Sequence, residues 1–309
     1  MTVTGVVALT GATGFIGSHL LTHLLDQGVH IKILVRQPQQ YTWPQHQRLE
    51  IIAGDMHDTD TITQLVADAN LIVHCAGRVK ASRAHHFHRD NVLASELIFK
   101  LAQRSGALKK FVYISSLSAR HAQLSHYAAS KYAAEQSLIG SGIDDWTIIR
   151  PPAVYGPKDT ELKPLFDWMQ RGILWIPAEA ENRFSLLHVQ DLCNLISHTL
   201  ASEDSGQVII EPDDGMLDGY NWWQVQAICS EYFQRKITPI KVPARLLKSV
   251  AQINLLSGRI LRQSPMLTPS KVQELLHDNW VVDYNHSWPH WRPMIDLKNG
   301  LHTLYSGSG

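Results

Sequence analysis

Cysteine is scarce in this chain. Its 309 residues include only Cys75, Cys193 and Cys229, none of them in a C-x-x-C pair. An odd count at wide spacing argues against a disulfide framework and for a reducing compartment. Each cysteine reads as a small core residue rather than a nucleophile. A surplus of either charge is also missing: Lys plus Arg and Asp plus Glu number 28 each, for a formal net charge of zero. Without a basic stripe, nothing points to nucleic acid as a partner. No stretch approaches about 18 uncharged apolar residues, which argues against a membrane span. The first nine residues lack the basic-then-apolar pattern of a signal peptide. A cytoplasmic protein is the expectation. Histidine is plentiful at 17, yet no pair stands in a metal-site frame with cysteine. The densest cluster, His85, His86 and His88, reads as a solvated loop or helix start, and no metal is expected.

An apolar content of 44% is ample for a substantial core. The length suits one large α/β unit or two closely joined lobes. Short β-branched runs predict strands over 3–9, 31–35, 49–53, 71–75, 110–115 and 146–150. Helical patterns predict helices over 16–27, 61–67, 91–105 and 127–139. That βαβα order predicts a doubly wound parallel sheet with helices on both faces. After Pro151 and Pro152 the rhythm breaks and Pro, Gly and Trp become frequent. Residues 1–150 therefore read as one domain. Residues 151–309 read mainly as a smaller, interleaved substrate lobe, with 183–210 returning to the sheet.

The segment Thr10-Gly11-Ala12-Thr13-Gly14-Phe15-Ile16-Gly17 sits where the first strand turns into the first helix. Gly11 permits the tight turn, Gly14 lets the backbone approach a pyrophosphate, and Gly17 lets helix pack closely on sheet. The helix start adds free N–H groups and a positive dipole end. Strand before and helix after supply the context that a lone glycine triplet lacks. The G-x-x-G-x-x-G spacing resembles the extended short-chain dehydrogenase/reductase families, which are built on a Rossmann fold. Further segments carry the resemblance in order: Gly54-Asp55-Met56, Cys75-Ala76-Gly77, the run from Arg150 to Pro157, and His188-Val189-Gln190-Asp191-Leu192.

The resemblance implies a nicotinamide dinucleotide held by Gly11, Thr13, Gly14, Phe15, Ile16 and Gly17. Asp55 and Met56 would contact the adenine, Ala76 and Gly77 would lie beneath the nicotinamide ribose, and Pro151 would complete the pocket. NAD binders usually carry an acid near the end of the second strand for the ribose 2′-hydroxyl. Residues 31–37 contain none, whereas Arg36 stands where it could meet a 2′-phosphate through charge-assisted hydrogen bonds. NADP(H) is therefore favoured over NAD(H).

Tyr127 and Lys131 are four apart, on one face of a helix. A phenol titrates near 10, too high for a base at neutral pH, and an ammonium beside it would favour the phenolate. In the family resembled, this Tyr exchanges a proton with the substrate oxygen and the Lys also holds the nicotinamide ribose. Ser116 matches the family's hydroxyl that hydrogen-bonds the substrate carbonyl or alcohol. Ser116 and Tyr127 are only eleven positions apart, so the loop over the site is short. Asn91 opens a predicted helix, where it reads as an N-cap in preference to part of a proton relay.

These parts predict hydride transfer between the nicotinamide and a secondary alcohol or ketone, with Tyr127 as general acid/base. Arg183 lies five residues before His188, one position off the arginine of several sugar-nucleotide enzymes. Only 30 residues separate Pro157 from His188. Trp168, Met169 and Trp175 would instead suit either an apolar substrate or packing of the lobe. Together with Val35-Arg36 they resemble the dihydroflavonol-reductase and 3β-hydroxysteroid-dehydrogenase branch, which implies a small apolar substrate. One alternative is a nucleotide-sugar epimerase or dehydratase that oxidises its substrate transiently with bound NAD. Another is a non-catalytic dinucleotide sensor or assembly subunit, although such relatives commonly lose the Tyr-Lys pair. Residues 243–262 form a basic amphipathic pattern, with Arg245, Lys248, Arg259 and Arg262 among apolar residues. It could be core, dimer contact or peripheral membrane contact. The expected state is a homodimer, through helices 91–105 and 127–139, or a monomer.

Overall fold

The computed structural model describes residues 2–81, 83–177, 179–204, 206–261 and 268–306, with 255–261 described by backbone alone. Arg262 and the carboxy-terminal Gly-Ser-Gly lie outside the described residues, as do the side chains of Leu255, Leu256, Arg259 and Ile260.

Strands and helices alternate through the first half. They are β1 (Val6–Thr10), α1 (Phe15–Asp26), β2 (His30–Val35), β3 (Leu49–Ala53), α2 (Thr59–Val66) and β4 (Leu71–His74). There follow α3 (Ala84–Phe87), α4 (Ala94–Arg104), β5 (Lys110–Ile114), α5 (His126–Ile139) and β6 (Trp146–Ile149). With β11 (Gln207–Ile210) these strands form a seven-stranded parallel sheet of order β11-β6-β5-β4-β1-β2-β3. Chain order reverses between β1 and β4, so the crevice at their carboxyl ends is the natural ligand site of such a sheet.

Why these residues make this sheet is visible in their burial. Every residue of β4, β5 and β6 is buried, as strands covered on both faces require. Alternate side chains enter opposite cores. Val7, Leu9, Val73, Val112 and Ile114 pack with Leu20, Leu24, Leu192 and Ile196 on one face. Ala8, Ile72, Phe111, Tyr113 and Ile148 pack with Ile62, Leu65, Ile98, Phe99 and Leu138 on the other. Cys193 and Cys229 are fully buried core residues, and all three cysteines are free thiols. Burial pushes the Cys75 thiol up to about 12, well out of the range of a reactive thiolate.

The second half is built from smaller pieces. In order these are β7 (Ala153–Tyr155), α6 (Lys163–Gln170), β8 (Ile173–Pro177), β9 (Arg183–Phe184), β10 (Leu186–His188), α7 (Val189–Ala201) and α8 (Trp222–Tyr232). The chain continues with β12 (Thr238–Val242), α9 (Ala244–Leu261), α10 (Pro269–Leu275), β13 (Asn279–Trp280) and α11 (Leu297–Ser306). Three parallel two-stranded pairs, β7 with β10, β8 with β12 and β9 with β13, surround a third core. Phe166, Met169, Leu174, Ile176, Tyr220, Leu297 and Leu301 belong to that core. Met169 thus packs internally, while Trp168 and Trp175 remain partly exposed and meet edge to face at 6.0 Å.

The helix expected over 91–105 is different in the structure. It begins at α3 and reaches α4 through a π-helical turn, His88–Leu93. Such turns insert one residue into the helix and often mark functional positions. Asn91 lies inside that turn and is therefore not an N-cap. His85 and His86 fall in the short α3, their rings 4.1 Å apart.

Candidate active site

The glycine turn joins β1 to α1 at the carboxyl edge of the sheet. Gly11 has φ +74°, and a Cβ there would stand 2.7 Å from the Ala76 amide nitrogen. The two loops that would flank a dinucleotide therefore touch through backbone alone. A Cβ on Gly17 would run into the Gly11 carbonyl, so helix and turn can approach this closely only without a side chain. No side chain caps α1 and its first turn holds no acid. The free amides there, together with the dipole, form an anion cradle. Thr13 and Gly14 are exposed at its rim, with Phe15 and Ile16 half-buried behind them.

Ser116, Tyr127 and Lys131 converge at the end of β5. Ser116 lies just beyond β5 and accepts hydrogen bonds from the Ser118 amide at 3.2 Å and the Ser118 hydroxyl at 2.9 Å. Ser125 caps α5 by accepting from the Ala128 amide. That cap fixes the start of the helix and presents Tyr127 in its first turn. Burial pushes the Tyr127 phenol up to about 12, opposed by its hydrogen bond with Ser116 and reinforced by the Glu274 carboxylate. Lys131 is not among the groups that move it. The sequence argument that an ammonium beside the phenol lowers its pKa is therefore corrected. The Lys131 ammonium is drawn aside to the Ile114 carbonyl at 2.6 Å and lies 4.4 Å from the Tyr113 ring centroid. Burial lowers Lys131 to about 8, with Glu135 and Cys75 pulling it upward. A Cβ on Gly77 would lie 3.9 Å from that ammonium, so the predicted ribose turn and the lysine share one space.

A buried hydrogen-bond chain under this site had no clear signal in the sequence. The Ala76 amide donates to Thr10 Oγ1, which pairs with His74 Nδ1 at 2.7 Å. His74 Nε2 meets Ser95 Oγ at 2.8 Å, and Ser95 Oγ donates to the Asn91 carbonyl. Burial, with Lys131 adding, holds His74 down to about 3, so the ring is neutral and the chain is fully paired. Asn91 Nδ2 donates to Ser130 Oγ at 2.9 Å and to the Arg78 carbonyl, while its Oδ1 accepts from the Arg78 amide. Asn91 thereby locks the loop after Gly77 to α5, one residue from Lys131.

Several of the later motif residues act as braces. Arg150 bridges buried Glu135 of α5 at 2.6 Å and Glu211 at 3.3 Å, and Glu211 also accepts from Arg120 at 3.2 Å. Pro151 is buried, and its carbonyl accepts the Leu117 amide, fixing the segment after Ser116. His188 caps α7, and Asp191 accepts from the amides of Met294 and Ile295. A contact from far along the chain was missed entirely. Glu274 of α10 accepts a hydrogen bond from Ser125, bringing α10 onto the start of α5.

The segment expected at the adenine lies beside β2 and β3. The Gly54 amide donates to the Val35 carbonyl at 3.0 Å, which sets Asp55 and Met56 next to Arg36. Asp55 accepts from the His57 amide, and Met56 packs against the core. Arg36 is exposed, with no hydrogen-bond partner among the described residues. The uncapped helix, the side-chain-free cradle at Gly11 and Gly17, and a cation at the end of β2 fit a nicotinamide dinucleotide. No cluster of three metal-ligating side chains occurs among the described residues, and no described helix is long and apolar enough to cross a membrane.

Comparison with known proteins agrees with this geometry. Residues 11–167 match the family described as NAD(P)H-binding. The chain is 32% identical to ceramide reductase of Caulobacter vibrioides over 279 residues, covering 90% of this chain and 86% of that protein. It is 27% identical over 258 residues to a mitochondrial NADH dehydrogenase [ubiquinone] 1 alpha subcomplex subunit 9 of Arabidopsis thaliana, covering 81% of this chain and 63% of that one. Among solved structures, the UDP-glucuronic acid 4-epimerase of Bacillus cereus with UDP-glucuronic acid and NAD superposes with TM-score 0.72. It is 18% identical over 97% of this chain and 98% of that one, a likeness of fold. The chain belongs to the NAD(P)H-binding, extended short-chain dehydrogenase/reductase family of epimerases and dehydratases, and is a nicotinamide-dependent oxidoreductase.

Proposed function

We propose that the protein is an NADPH-dependent reductase of a ketone on an apolar substrate, with Ser116, Tyr127 and Lys131 as its catalytic residues. The observation that carries this reading is their convergence at the carboxyl end of β5, with Tyr127 hydrogen-bonded to Ser116. The nicotinamide, when bound, supplies the hydride. Ser116 orients the carbonyl oxygen through its hydroxyl. Tyr127 then donates its proton to that oxygen as negative charge develops, a task suited to a phenol that burial keeps protonated. Lys131, cationic below about 8, holds the ribose hydroxyls. Asn91 keeps the floor of this pocket tied to α5.

Arg36 supports NADP(H), being an exposed cation at the end of β2 with no acid beside it in residues 31–37. The ceramide reductase relative supports a lipid-like ketone. The sugar-nucleotide alternative needs a cation for a diphosphate. Arg183, its best candidate, is instead committed to the carbonyls of Asp218 at 3.0 Å and Gly219 at 3.4 Å. A homodimer would use the outer face of α5, where Tyr132 and Ile139 are exposed. The test is turnover of a long-chain ketone with NADPH by wild type and Tyr127→Phe. The variant should keep NADPH affinity and lose about a hundred- to ten-thousandfold in kcat. Full turnover by Tyr127→Phe would overturn the mechanism.

A further inference from the structure

Between Glu231 and Glu274 the chain runs for 42 residues without a single Asp or Glu, yet holds eight Lys or Arg. In a molecule of net charge zero this is a marked segregation of sign, and it coincides with β12, α9 and α10. On α9, Leu246, Val250 and Ile253 are 54%, 39% and 65% exposed. Their spacing puts them on one stripe of the helix. Ala251 faces inward and is fully buried, so α9 is docked on its other side. Arg245 is exposed and flanks the stripe, Lys248 is exposed on another side of the helix, and neither has an acidic partner among the described residues.

The strand leading into α9 carries a second patch. Ile240 of β12 stands in register with Trp175 of β8, both are exposed, and Trp168 packs edge-on against Trp175. Arg171 lies 5.4 Å from the Trp168 ring centroid. Lys241 is exposed, with Glu179 at 3.7 Å across the surface. Half-exposed tryptophans beside apolar side chains and snorkelling cations are the composition that rests at a bilayer interface.

We propose that α9, with the adjoining Trp168–Trp175–Ile240 patch, is a docking surface for an anionic lipid bilayer. The occupant follows from charge. A second copy of this chain would have to set the unpaired Arg245 and the cations around it against their own kind, whereas anionic headgroups neutralise them. The location also suits an apolar substrate. α9 packs against α10, and Glu274 of α10 bonds Ser125 at the start of the catalytic helix. A docked α9 therefore leaves one short helix between the bilayer and the site. Vesicle binding is read without turnover, so this proposal survives or fails apart from the reductase reading.

The experiment is flotation of the full chain with vesicles of phosphatidylcholine alone and of phosphatidylcholine mixed with phosphatidylglycerol. Each cation at an anionic surface strengthens binding about fivefold. Wild type should therefore float with the mixed vesicles, remain behind with neutral ones, and release as salt rises. Arg245→Glu should weaken binding by about fivefold or more. Ile253→Asp should weaken it by about tenfold or more. All variants should keep wild-type melting temperature and NADPH affinity, since none of these side chains is buried or touches the site. Equal binding to both vesicle types, or binding untouched by these substitutions, would overturn the proposal. So would a dimer in solution that Ile253→Asp converts to monomer, which would assign the stripe to a second copy.

Discussion

The two halves of this molecule reach a packed core by different routes. Up to Arg150, most strands are followed by a connecting helix and pair with a strand nearby in sequence, as Val6 does with His30, the β1–β4 pair at the order reversal excepted. Beyond it, short strands find partners far along the chain: Ile173 pairs with Thr238, and Arg183 with Asn279. The first arrangement provides a rigid edge on which turns can be placed with sub-ångström tolerance, as at Gly11 and Gly17. The second is tied to the first by apolar packing, with Trp288 and Trp291 in the core of the sheet, and by polar braces, Arg150 between Glu135 and Glu211 and Asp191 on the chain at Met294. On the proposed function, cofactor chemistry would rest on the first half and access to it on the second.

The largest effect on that division comes from removing its brace. Arg150→Met leaves Glu135 and Glu211 buried without their shared cation, and breaking a buried pair in this way costs about 3–5 kcal/mol. Chemical denaturation should show that loss. A change below 1 kcal/mol would mean the halves are joined by apolar packing instead. Next is Gly11→Ala, which forces a Cβ into positive φ at a cost of about 1–2 kcal/mol and presses on Ala76. Dinucleotide affinity should fall together with melting temperature, and unchanged affinity would show that the turn does not carry the cofactor.

Arg36→Ala sharpens the comparison from the cofactor's side. NADPH should bind about tenfold more weakly and NADH equally well, matching loss of one charge-assisted contact of about 1.5 kcal/mol. If both weaken alike, Arg36 reads adenine and not the 2′-phosphate. The smallest effect is with pH. Burial lowers the Lys131 ammonium, so it is cationic below about 8 and neutral above. Turnover per bound substrate should therefore decline as pH rises through about 8, and a flat profile into the alkaline range would separate Lys131 from the chemistry.

Residues 1–150 were legible because short β-branched runs and glycine punctuation are local signals. β3 matches its expected bounds to the residue, and the start of α1 is displaced by one. Asn91 was misread, because a π-turn is set by packing of α3 and α4 against α5 and leaves no mark in hydrophobic spacing. The direction of the Lys131 ammonium was equally hidden. Spacing puts Tyr127 and Lys131 on one helix face, but the Ile114 carbonyl decides where the charge points. Glu274 carried no signal at all, lying 149 residues from the serine it accepts from.

The sequence by itself determined the alternating order, the glycine turn and the identity of the groups that can move a proton, since each depends on neighbours a few positions away. Only the tertiary structure decided which of those groups meet, how far burial moves their proton affinities, and which apolar faces stay uncovered. Each of those depends on what segments distant in sequence bring to the same place, and on how much water they exclude.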